Sequence, residues 1–411
     1  MDSKPTLWLL TVLSALMAFA SISTDLYLPA MPAMAQALRA TTGTMEWTVS
    51  GYLVGFSLGQ LVWGPLSDRY GRRLPVVIGL LLFVAGSAGC ATADSAAALV
   101  GWRVLQSLGA CASVVIARAM VRDLFAGDRA ARMMSTLMTV MAVAPLVGPS
   151  VGGLILSVSS WRAIFWLLVV VGVATTAAVF TIPETHPADR RSADSLAASF
   201  ARYGTLLRDR RLLGYAATGA FFYGAVYAYI AGTPFAYIDY HHVDPQHYGV
   251  LFGVGIAGIM AANLVNARLV GRFGSDRLMR FGAAVAAAAG TWVAIDAATD
   301  WGGLAGLVLP LFVFASANGF IVANSIAGAL GRFPEAAGSV SALVGALQYG
   351  FGIAGSALVG LFADGTPRPM GFVIAAFCAG SLLAACLAAR AAVPHRNAGP
   401  HTAPTPAPRA S

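Results

Sequence analysis

Long apolar stretches alternate with short polar segments along almost the whole chain. When the stretches are cut at charged residues, proline and glycine, each has roughly the 20 residues that an α-helix needs to cross a bilayer core. Twelve segments result, covering approximately residues 7–30, 47–66, 74–93, 97–117, 134–158, 161–182, 212–238, 248–270, 278–298, 302–326, 337–362 and 370–392. Apolar and polar residues do not alternate within them, so the pattern predicts membrane-spanning helices and not the strands of a barrel.

The longest polar segment, residues 184–211, divides the twelve spans into six and six. We therefore predict an N-terminal six-helix bundle in 1–183, a partly helical cytoplasmic linker in 184–211 and a second bundle in 212–393. The tail, residues 394–411, is rich in proline and alanine and is predicted to be disordered.

The two halves share a loop pattern. Asp68-Arg69-Tyr70-Gly71 follows span 2, and Gly271-Arg272-Phe273-Gly274 follows span 8. Parallel six-helix halves related by an axis along the membrane normal are a transporter architecture, with the substrate site between them at mid-membrane. The predicted fold is an all-α membrane protein of twelve helices in two pseudo-symmetric bundles.

The distribution of basic residues predicts the orientation. If the N-terminus is inside, 22 of the 26 Lys and Arg residues lie on the inner side and three on the outer side, with Arg103 inside a span. Because short cytoplasmic loops carry an excess of Lys and Arg, both termini are predicted to be cytoplasmic.

Composition excludes several other interpretations. The chain is 58% hydrophobic and 11% charged, which is typical of a polytopic membrane protein. The net charge of +8 does not indicate nucleic-acid binding, because the arginines sit in short loops between spans. The four cysteines lie inside apolar runs and have no metal-ligand spacing. The N-terminus imitates a signal peptide, but its apolar run continues past Ala20, which favours an uncleaved first helix.

Two charged residues lie at membrane depth, where a charge costs about 2.5–3.5 kcal/mol on insertion scales. Asp25 is about two thirds of the way along span 1, and Arg103 is in the outer third of span 4. We interpret them as a proton-coupling pair, in which Asp25 loads a proton on one side and releases it on the other while Arg103 tunes it. The alternatives are that Asp25 only ends or kinks span 1 near Pro29, and that Arg103 extends outward to the interface.

Two further motifs suggest conformational change. The turn between spans 2 and 3 is predicted to be tight and to act as a gate, through Gly64, Asp68, Arg69, Gly71, Arg72 and Arg73, with Arg272 in the second half. Span 5 contains prolines and glycines that favour a kink and close packing, either as a packing surface or as a hinge. The predicted hinge residues are Pro145, Gly148, Pro149, Gly152 and Gly153.

Polar and aromatic residues inside the spans are candidates for a substrate cavity suited to varied amphipathic ligands, although each alone could be a packing or interface residue. They are Tyr27, Tyr52, Gln60, Gln106, Tyr223, Tyr227, Asn263, Asn318, Gln348 and Tyr349. His241, His242, Asp244 and His247 crowd one loop, but their pattern is typical of a solvated loop, so no metal is predicted. No phosphate-binding glycine-rich loop is present, so neither ATP drive nor any other cofactor is predicted.

These residues together resemble the major facilitator superfamily, and within it the twelve-helix drug:proton antiporters of the Bcr/CflA family, named for bicyclomycin resistance. Gly64 to Arg73 resembles the superfamily's loop motif, and Arg103 to Gly109 resembles the helix 4 motif linked to proton transfer. Gly148-Pro149 with Gly152-Gly153 resembles the antiporter motif, and Asp25 to Pro29 with Pro32 is similar to the helix 1 signature. Two positions depart from the pattern, because Ser107 replaces a usual glycine and Met17 stands where some relatives have a second acid.

The resemblance implies a monomeric, multi-pass exporter of the bacterial cytoplasmic membrane, which works by alternating access and uses the proton gradient. Its implied partners are a small xenobiotic or antibiotic, protons and the lipid bilayer. Alternatives are a transporter of an endogenous metabolite, either exporter or symporter, and an intramembrane enzyme or receptor. An enzyme would need more acids, nucleophiles or histidines at membrane depth than Asp25 and Arg103 provide.

Overall fold

The protein is seen in a computed structural model that describes residues 7–191, 196–331, 333 and 336–391. The tail predicted to be disordered, 394–411, and residues 192–195 of the linker lie outside this range. The described residues form helices and short turns, with no strand among them.

In the described part of the chain, the first half contains seven helices and a short turn of 3₁₀ helix, Leu28–Ala30, between the first two. The helices are α1 Leu7–Asp25, α2 Met31–Ala37, α3 Thr42–Tyr70, α4 Arg73–Thr92, α5 Ala96–Leu124, α6 Gly127–Val158 and α7 Trp161–Phe180. The linker contributes a second 3₁₀ turn, Ala188–Arg190, and α8, Leu196–Leu206.

The second half also contains seven helices, and a π-helical turn, Phe235–Tyr240, follows the first. The helices are α9 Arg210–Pro234, α10 Pro245–Phe273, α11 Ser275–Thr299, α12 Gly303–Ser316, α13 Asn318–Leu330, α14 Ala337–Leu361 and α15 Arg368–Ala391.

Ten segments in the described ranges are long and apolar enough to cross a membrane, with α1–α2 and α12–α13 each counted as one. The two further spans predicted from the sequence are α3 and α9, which are less apolar. Both lie inside the helix packing, α3 against α5 and α14, and α9 against α14 and α15. The predicted all-helical fold class is confirmed.

Short polar side chains set several of the helix starts. Thr41 accepts a hydrogen bond from the backbone N–H of Thr44, and Ser95 does the same for Ala98. Asp209 caps α9 and Asp244 caps α10 in the same way. Each cap satisfies a backbone donor that the first turn of a helix leaves free.

Three predicted boundaries are wrong. α3 runs four residues beyond Leu66, through Tyr70, so only Gly71 and Arg72 separate it from α4, and the charged loop is mostly helical. Span 1 is not one continuous helix to Ala30: α1 ends at Asp25 and a 3₁₀ turn follows, because Pro29 lacks an N–H and disfavours α-helix in the preceding residue. Span 10 is broken at Ala317 into α12 and α13.

The helices of each half pack mainly on one another, and two main contacts join the halves. They are α3 against α14, and α6 against α10. In a twelve-span protein with two equivalent halves these contacts are spans 2 and 11, and spans 5 and 8, which the pseudo-symmetry interchanges. The pairing therefore follows the repeat that the loop motifs predicted.

The two ends of the molecule differ in how tightly the halves meet. We call the end with the loops α3–α4, α5–α6 and α10–α11 the arginine-rich end. At the opposite end a Cβ built on Gly43 would lie 2.1 Å from the carbonyl oxygen of Gly360, and one on Gly153 would lie 2.6 Å from that of Pro245. Because only glycine permits such backbone contacts, the opposite end is closed.

Glycine is also required within the second half, where α14 crosses α9. A Cβ on Gly355 would lie 1.9 Å from the carbonyl oxygen of Gly224, whereas one on Gly350 would meet nothing within 4 Å. We expect Gly355→Ala to lower the free energy of unfolding by about 1–3 kcal/mol through overpacking. Gly350→Ala on the same helix is the control and should be neutral or slightly stabilising. Thermal unfolding of the purified protein in detergent measures both, and equal melting temperatures would contradict the assigned crossing.

Candidate functional site

Arg103 is the central residue of the site, and its side chain is fully buried. Its guanidinium lies between two aromatic rings, 4.2 Å from the ring centroid of Tyr27 and 4.3 Å from that of Tyr52. The three residues come from α5, from the turn after α1 and from α3. Arg103 does not extend to the interface, so the snorkelling alternative is excluded for the described structure.

Hydrogen bonds complete what we call the Arg103 cluster: Arg103, Tyr27, Tyr52, Gln106 and Ser23. Nη1 of Arg103 donates to the backbone oxygen of Ser23 at 2.8 Å and to Oε1 of Gln106 at 2.6 Å. Tyr52 and Ser23 share a hydroxyl hydrogen bond of 2.6 Å. Nε and Nη2 of Arg103 have no hydrogen-bond partner among the described residues. The cation is thus held by neutral groups and π faces, with donors to spare.

Asp25 lies at the end of α1, two residues after Ser23, and is 5% exposed. It is close enough to Arg103 for an electrostatic interaction, but the described residues show no direct ion pair between them. An acid and a base that are buried near each other without pairing can change their interaction when a proton or water arrives.

The predicted hinge in α6 meets Asp25 directly. A Cβ on Gly148 would lie 3.1 Å from Cβ of Asp25, and one on Gly152 would lie 1.8 Å from the carbonyl oxygen of Leu26. Gly153, on a different face, contacts Pro245 in the second half. α6 continues through Pro145 and Pro149 as one helix. The glycines of α6 therefore contact both the break in the helix after α1 and the second half of the protein.

The loop between α3 and α4 is organised by Arg72, whose side chain is 5% exposed. Its guanidinium binds Asp68 at 2.5 Å, Asp123 of α5 at 2.8 Å and the hydroxyl of Ser67 at 2.9 Å. The side chain of Asp68 is 54% exposed, and that of Asp123 is 15% exposed. Asp68 pairs here within its own half and makes no ion pair to the second half among the described residues.

Glu184, the first residue of the predicted linker, holds the start of α4. Its carboxylate accepts the backbone N–H groups of Arg72 and Arg73, each at 2.9 Å, and that of His186. Partial burial alone would raise the pKa of Glu184, but these three hydrogen bonds outweigh it and lower the pKa below its usual value. The carboxylate therefore stays charged at neutral pH and ties the linker to the loop.

The matching loop of the second half has the same backbone form and a different charge pattern. Gly71 and Gly274 have φ values of +88° and +80°, a conformation that favours glycine. Arg272 lies over the ring of Phe273 and has no carboxylate partner in the described part of the chain. Asp276 instead accepts a hydrogen bond from Tyr215 at 2.8 Å.

A cavity of about 330 Å³ lies between the halves at the arginine-rich end. Gln60, Asp68, Arg118 and Arg122 line it, together with Tyr203 of α8 and the first turn of α14. Nε of Arg118 is buried and makes no hydrogen bond with the described residues. A small molecule could enter here.

Four aromatic rings lie where α3, α9 and α14 meet, and we call them the aromatic cluster: Phe56, Tyr223, Tyr227 and Tyr349. The ring centroids of Phe56 and Tyr349 are 4.5 Å apart, and Tyr223 and Tyr227 lie 5.9 and 6.0 Å from Tyr349. Arg118, which lines the cavity, lies near Tyr223 and Tyr349, so the aromatic cluster and the cavity are neighbours.

The remaining cavity candidates are dispersed. Tyr27, Tyr52 and Gln106 belong to the Arg103 cluster and are buried. Gln348 is buried against Gly219 within the second half. Asn263 is exposed on α10, and Asn318 is half-buried at the break between α12 and α13.

Several residues of these sites were missed from the sequence. Three of them follow predicted span 4, 97–117: Arg118 and Arg122, which were used only to predict orientation, and Asp123, which was not considered. Glu184 was read as the start of a polar linker. The spacing of four residues between Arg118 and Arg122 was the available signal that these two share a helix face.

The comparisons with known proteins identify the family. A family model described as Major Facilitator Superfamily matches residues 11–357. The chain belongs to the Major Facilitator Superfamily. It is 35% identical, over 374 residues, to an uncharacterized MFS-type transporter, YdgK, of Bacillus subtilis (strain 168), covering 90% of this chain and 92% of the relative.

A second relative is a bicyclomycin resistance protein homolog of Haemophilus influenzae (strain ATCC 51907 / DSM 11121 / KW20 / Rd). It is 29% identical over 384 residues, which cover 93% of this chain and 96% of the relative. Among solved structures, a D-xylose-proton symporter superposes with a TM-score of 0.73 and 15% identity, covering 93% of this chain and 97% of that one, which shows the shared fold. The superfamily member described here is a multi-pass transporter of the bacterial inner membrane, and the predicted resemblance is confirmed.

The burial of Arg72 separates the roles of its two carboxylate partners. Asp123→Asn removes the more buried partner, which should lower the free energy of unfolding by about 1–3 kcal/mol. Asp68→Asn removes a half-exposed partner and leaves Arg72 paired with Asp123, so we expect a loss of at most about 1 kcal/mol. Thermal unfolding in detergent compares the two variants. An Asp68→Asn variant that loses more stability than Asp123→Asn would contradict this assignment.

Proposed function

We propose that this transporter exports small xenobiotics or antibiotics in exchange for protons. The observation that carries the proposal is the meeting of three motifs at one point: Asp25 at the end of α1, the Arg103 cluster, and Gly148 of α6. The bicyclomycin resistance homolog supports the direction of transport and the class of substrate. The protein would work as a monomer with no cofactor.

The orientation belongs to the same proposal. With the arginine-rich end in the cytoplasm, 22 basic residues lie inside and three outside. The cavity of about 330 Å³ then opens toward the cytoplasm, and the closed glycine contacts face outward. In this state the protein would be ready to capture a substrate from the cell interior.

Asp25 would exchange the proton in each cycle. Outside, a proton arrives at Asp25 as the substrate leaves; inside, the proton leaves as the next substrate binds. Arg103 favours the carboxylate when it is near and hydrated, whereas burial favours the neutral acid. Each 100 mV supplies about 2.3 kcal/mol per proton, which sustains a gradient of roughly 50-fold for a neutral substrate.

Asparagine at position 25 keeps the size of the side chain but cannot bind and release a proton. We expect Asp25→Asn to abolish proton-driven export while the protein still folds and inserts. In everted vesicles, an added substrate should release part of the proton gradient in the wild type and not in the variant. Asp94→Asn, which removes an exposed carboxylate at the same end, is the control and should transport normally. Full proton-coupled transport by Asp25→Asn would overturn the proposed role.

We also propose that Asp68 acts as a gate when the arginine-rich end closes. It is exposed and lines the cavity, and it is therefore free to exchange its partner as the halves approach. Asp68→Asn should lower the turnover rate about tenfold or more and leave substrate binding within about twofold. Equilibrium binding and vesicle transport, measured on the same preparation, separate the two effects. Weakened binding with unchanged turnover would be the opposite of this prediction.

A further inference from the structure

A second buried carboxyl lies at the closed end, away from the Arg103 cluster. Glu46 is in α3 of the first half and is 3% exposed. It lines a cavity of about 110 Å³ whose other walls come almost entirely from the second half. These walls are the end of α9 with the π-helical turn, the end of α14 and the loop before α15. Glu46 is thus enclosed only while the two halves are in contact here.

Among the residues that the structure describes, the carboxyl has no partner that would account for its burial. Its Oε2 atom makes no hydrogen bond with the described residues, and no described cation forms an ion pair with it. It does not cap its own helix, because Thr41 is the N-cap of α3 and Glu46 lies beyond the first turn. A charge at this place would be buried without compensation, which is strongly unfavourable.

The charged groups on the surrounding elements are engaged elsewhere or face solvent. Arg39, after α2, is exposed, and Asp239 is exposed at the rim of the same cavity. In the loop before α15, Asp364 accepts hydrogen bonds from Thr366, and Arg368 donates to the backbone oxygen of Ala298. His241 and His242 follow the π-helical turn, and their electrostatic partners are Asp239, Asp296 and Asp300.

We propose that Glu46 is a second proton-binding site, which takes up a proton when the halves close at this end and releases it when they part. The proposal follows from position: closure moves Glu46 from water into a small cavity walled by the other half. A proton is the ligand, because Glu46 is the one buried carboxyl among the described residues that line this small cavity, whereas Asp239 is exposed at its rim.

The direction of the effect follows from linkage. If the closed state holds a proton that the open state releases, lower pH favours closure and higher pH favours opening. One such proton changes the ratio of open to closed molecules by up to about tenfold per pH unit. Glutamine at this position is always neutral, so Glu46→Gln should keep the end closed and remove this part of the pH dependence.

Proton binding by Glu46 does not depend on the proposed proton-coupled export, but its role in transport rests on that proposal. Its test therefore uses the conformation of the protein without substrate, in an Asp25→Asn background, so that Asp25 cannot contribute. Spin labels are placed at Ala98→Cys and Trp301→Cys, two exposed positions at this end, one in each half. Cys386→Ala removes the exposed native thiol, and the other three cysteines are buried.

The distance between the labels is measured by pulsed electron resonance from pH 5 to pH 9. With Glu46 present, the long-distance population should grow as pH rises; with Glu46→Gln it should stay small at every pH. Glu46→Asp keeps the carboxyl and should keep the pH response, which guards against a folding defect in the glutamine variant. Asp239→Asn at the rim is the matched control and should behave like its parent.

The proposal would be overturned if the label distance in the parent did not change with pH, or if it changed as much in Glu46→Gln as in the parent. It would also be overturned if the pH dependence were lost in Asp239→Asn or in a His241→Gln/His242→Gln variant. A change of the label distance when sodium replaces potassium at constant pH would likewise contradict a proton site. Failure of the proposed function looks different, because it would appear as normal proton-coupled export by Asp25→Asn, whatever the label distances show.

Discussion

The burial of one positive charge constrains much of the first half. Arg103 has no exposed surface and no direct carboxylate partner among the described residues, so neutral groups must hold its guanidinium. Tyr27 reaches it only because the chain leaves the helix after Asp25, and Ser23 can offer its backbone oxygen only near that helix end. Three features therefore act together to hold this guanidinium: the break in span 1, the ring of Tyr52 on α3 and the amide of Gln106. If any one of these groups were displaced, the guanidinium of Arg103 would lose part of its solvation in an interior that offers no water in its place.

Glycine determines where the two halves can touch. At the closed end, backbones meet at Gly43 with Gly360 and at Gly153 with Pro245, and no side chain separates them. At the arginine-rich end, α3 and α14 diverge around a cavity lined by charged residues. At the two glycine contacts the backbones can separate without forcing side chains into new rotamers, whereas side chains such as Phe56 and Tyr349 pack across the halves elsewhere along α3 and α14. That property suits an interface that must open and close in each cycle.

Features set by the local free energy of the chain could be predicted from the sequence, whereas features set by packing between distant segments could not. The twelve spans, Asp25 and Arg103 could be found because apolar length and buried charge are expensive to arrange by chance. The true end of α3 could not, because Asp68, Arg69 and Tyr70 remain helical while their side chains face water. Nor could the partners of Arg72, since Asp123 and Glu184 lie 51 and 112 residues away in the chain. Tyr27 and Tyr52 were predicted as candidates for the substrate cavity, but only the packing of α1, α3 and α5 shows that they enclose Arg103.

The two halves are alike in shape, but the buried charged residues and the aromatic cluster are distributed unequally between them. The first half holds Asp25, Glu46 and the Arg103 cluster, whereas three of the four rings of the aromatic cluster belong to the second half. Coupling between the halves can run through the contact of α6 with α10 or through the contact of α3 with α14. That contact includes the hydroxyl pair of Ser50 and Ser356, at 2.8 Å, and the ring of Phe56 against Tyr349. Since α3 also carries Glu46 and Tyr52, a rotation of this one helix would move a proton site, a wall of the Arg103 cluster and an aromatic contact together.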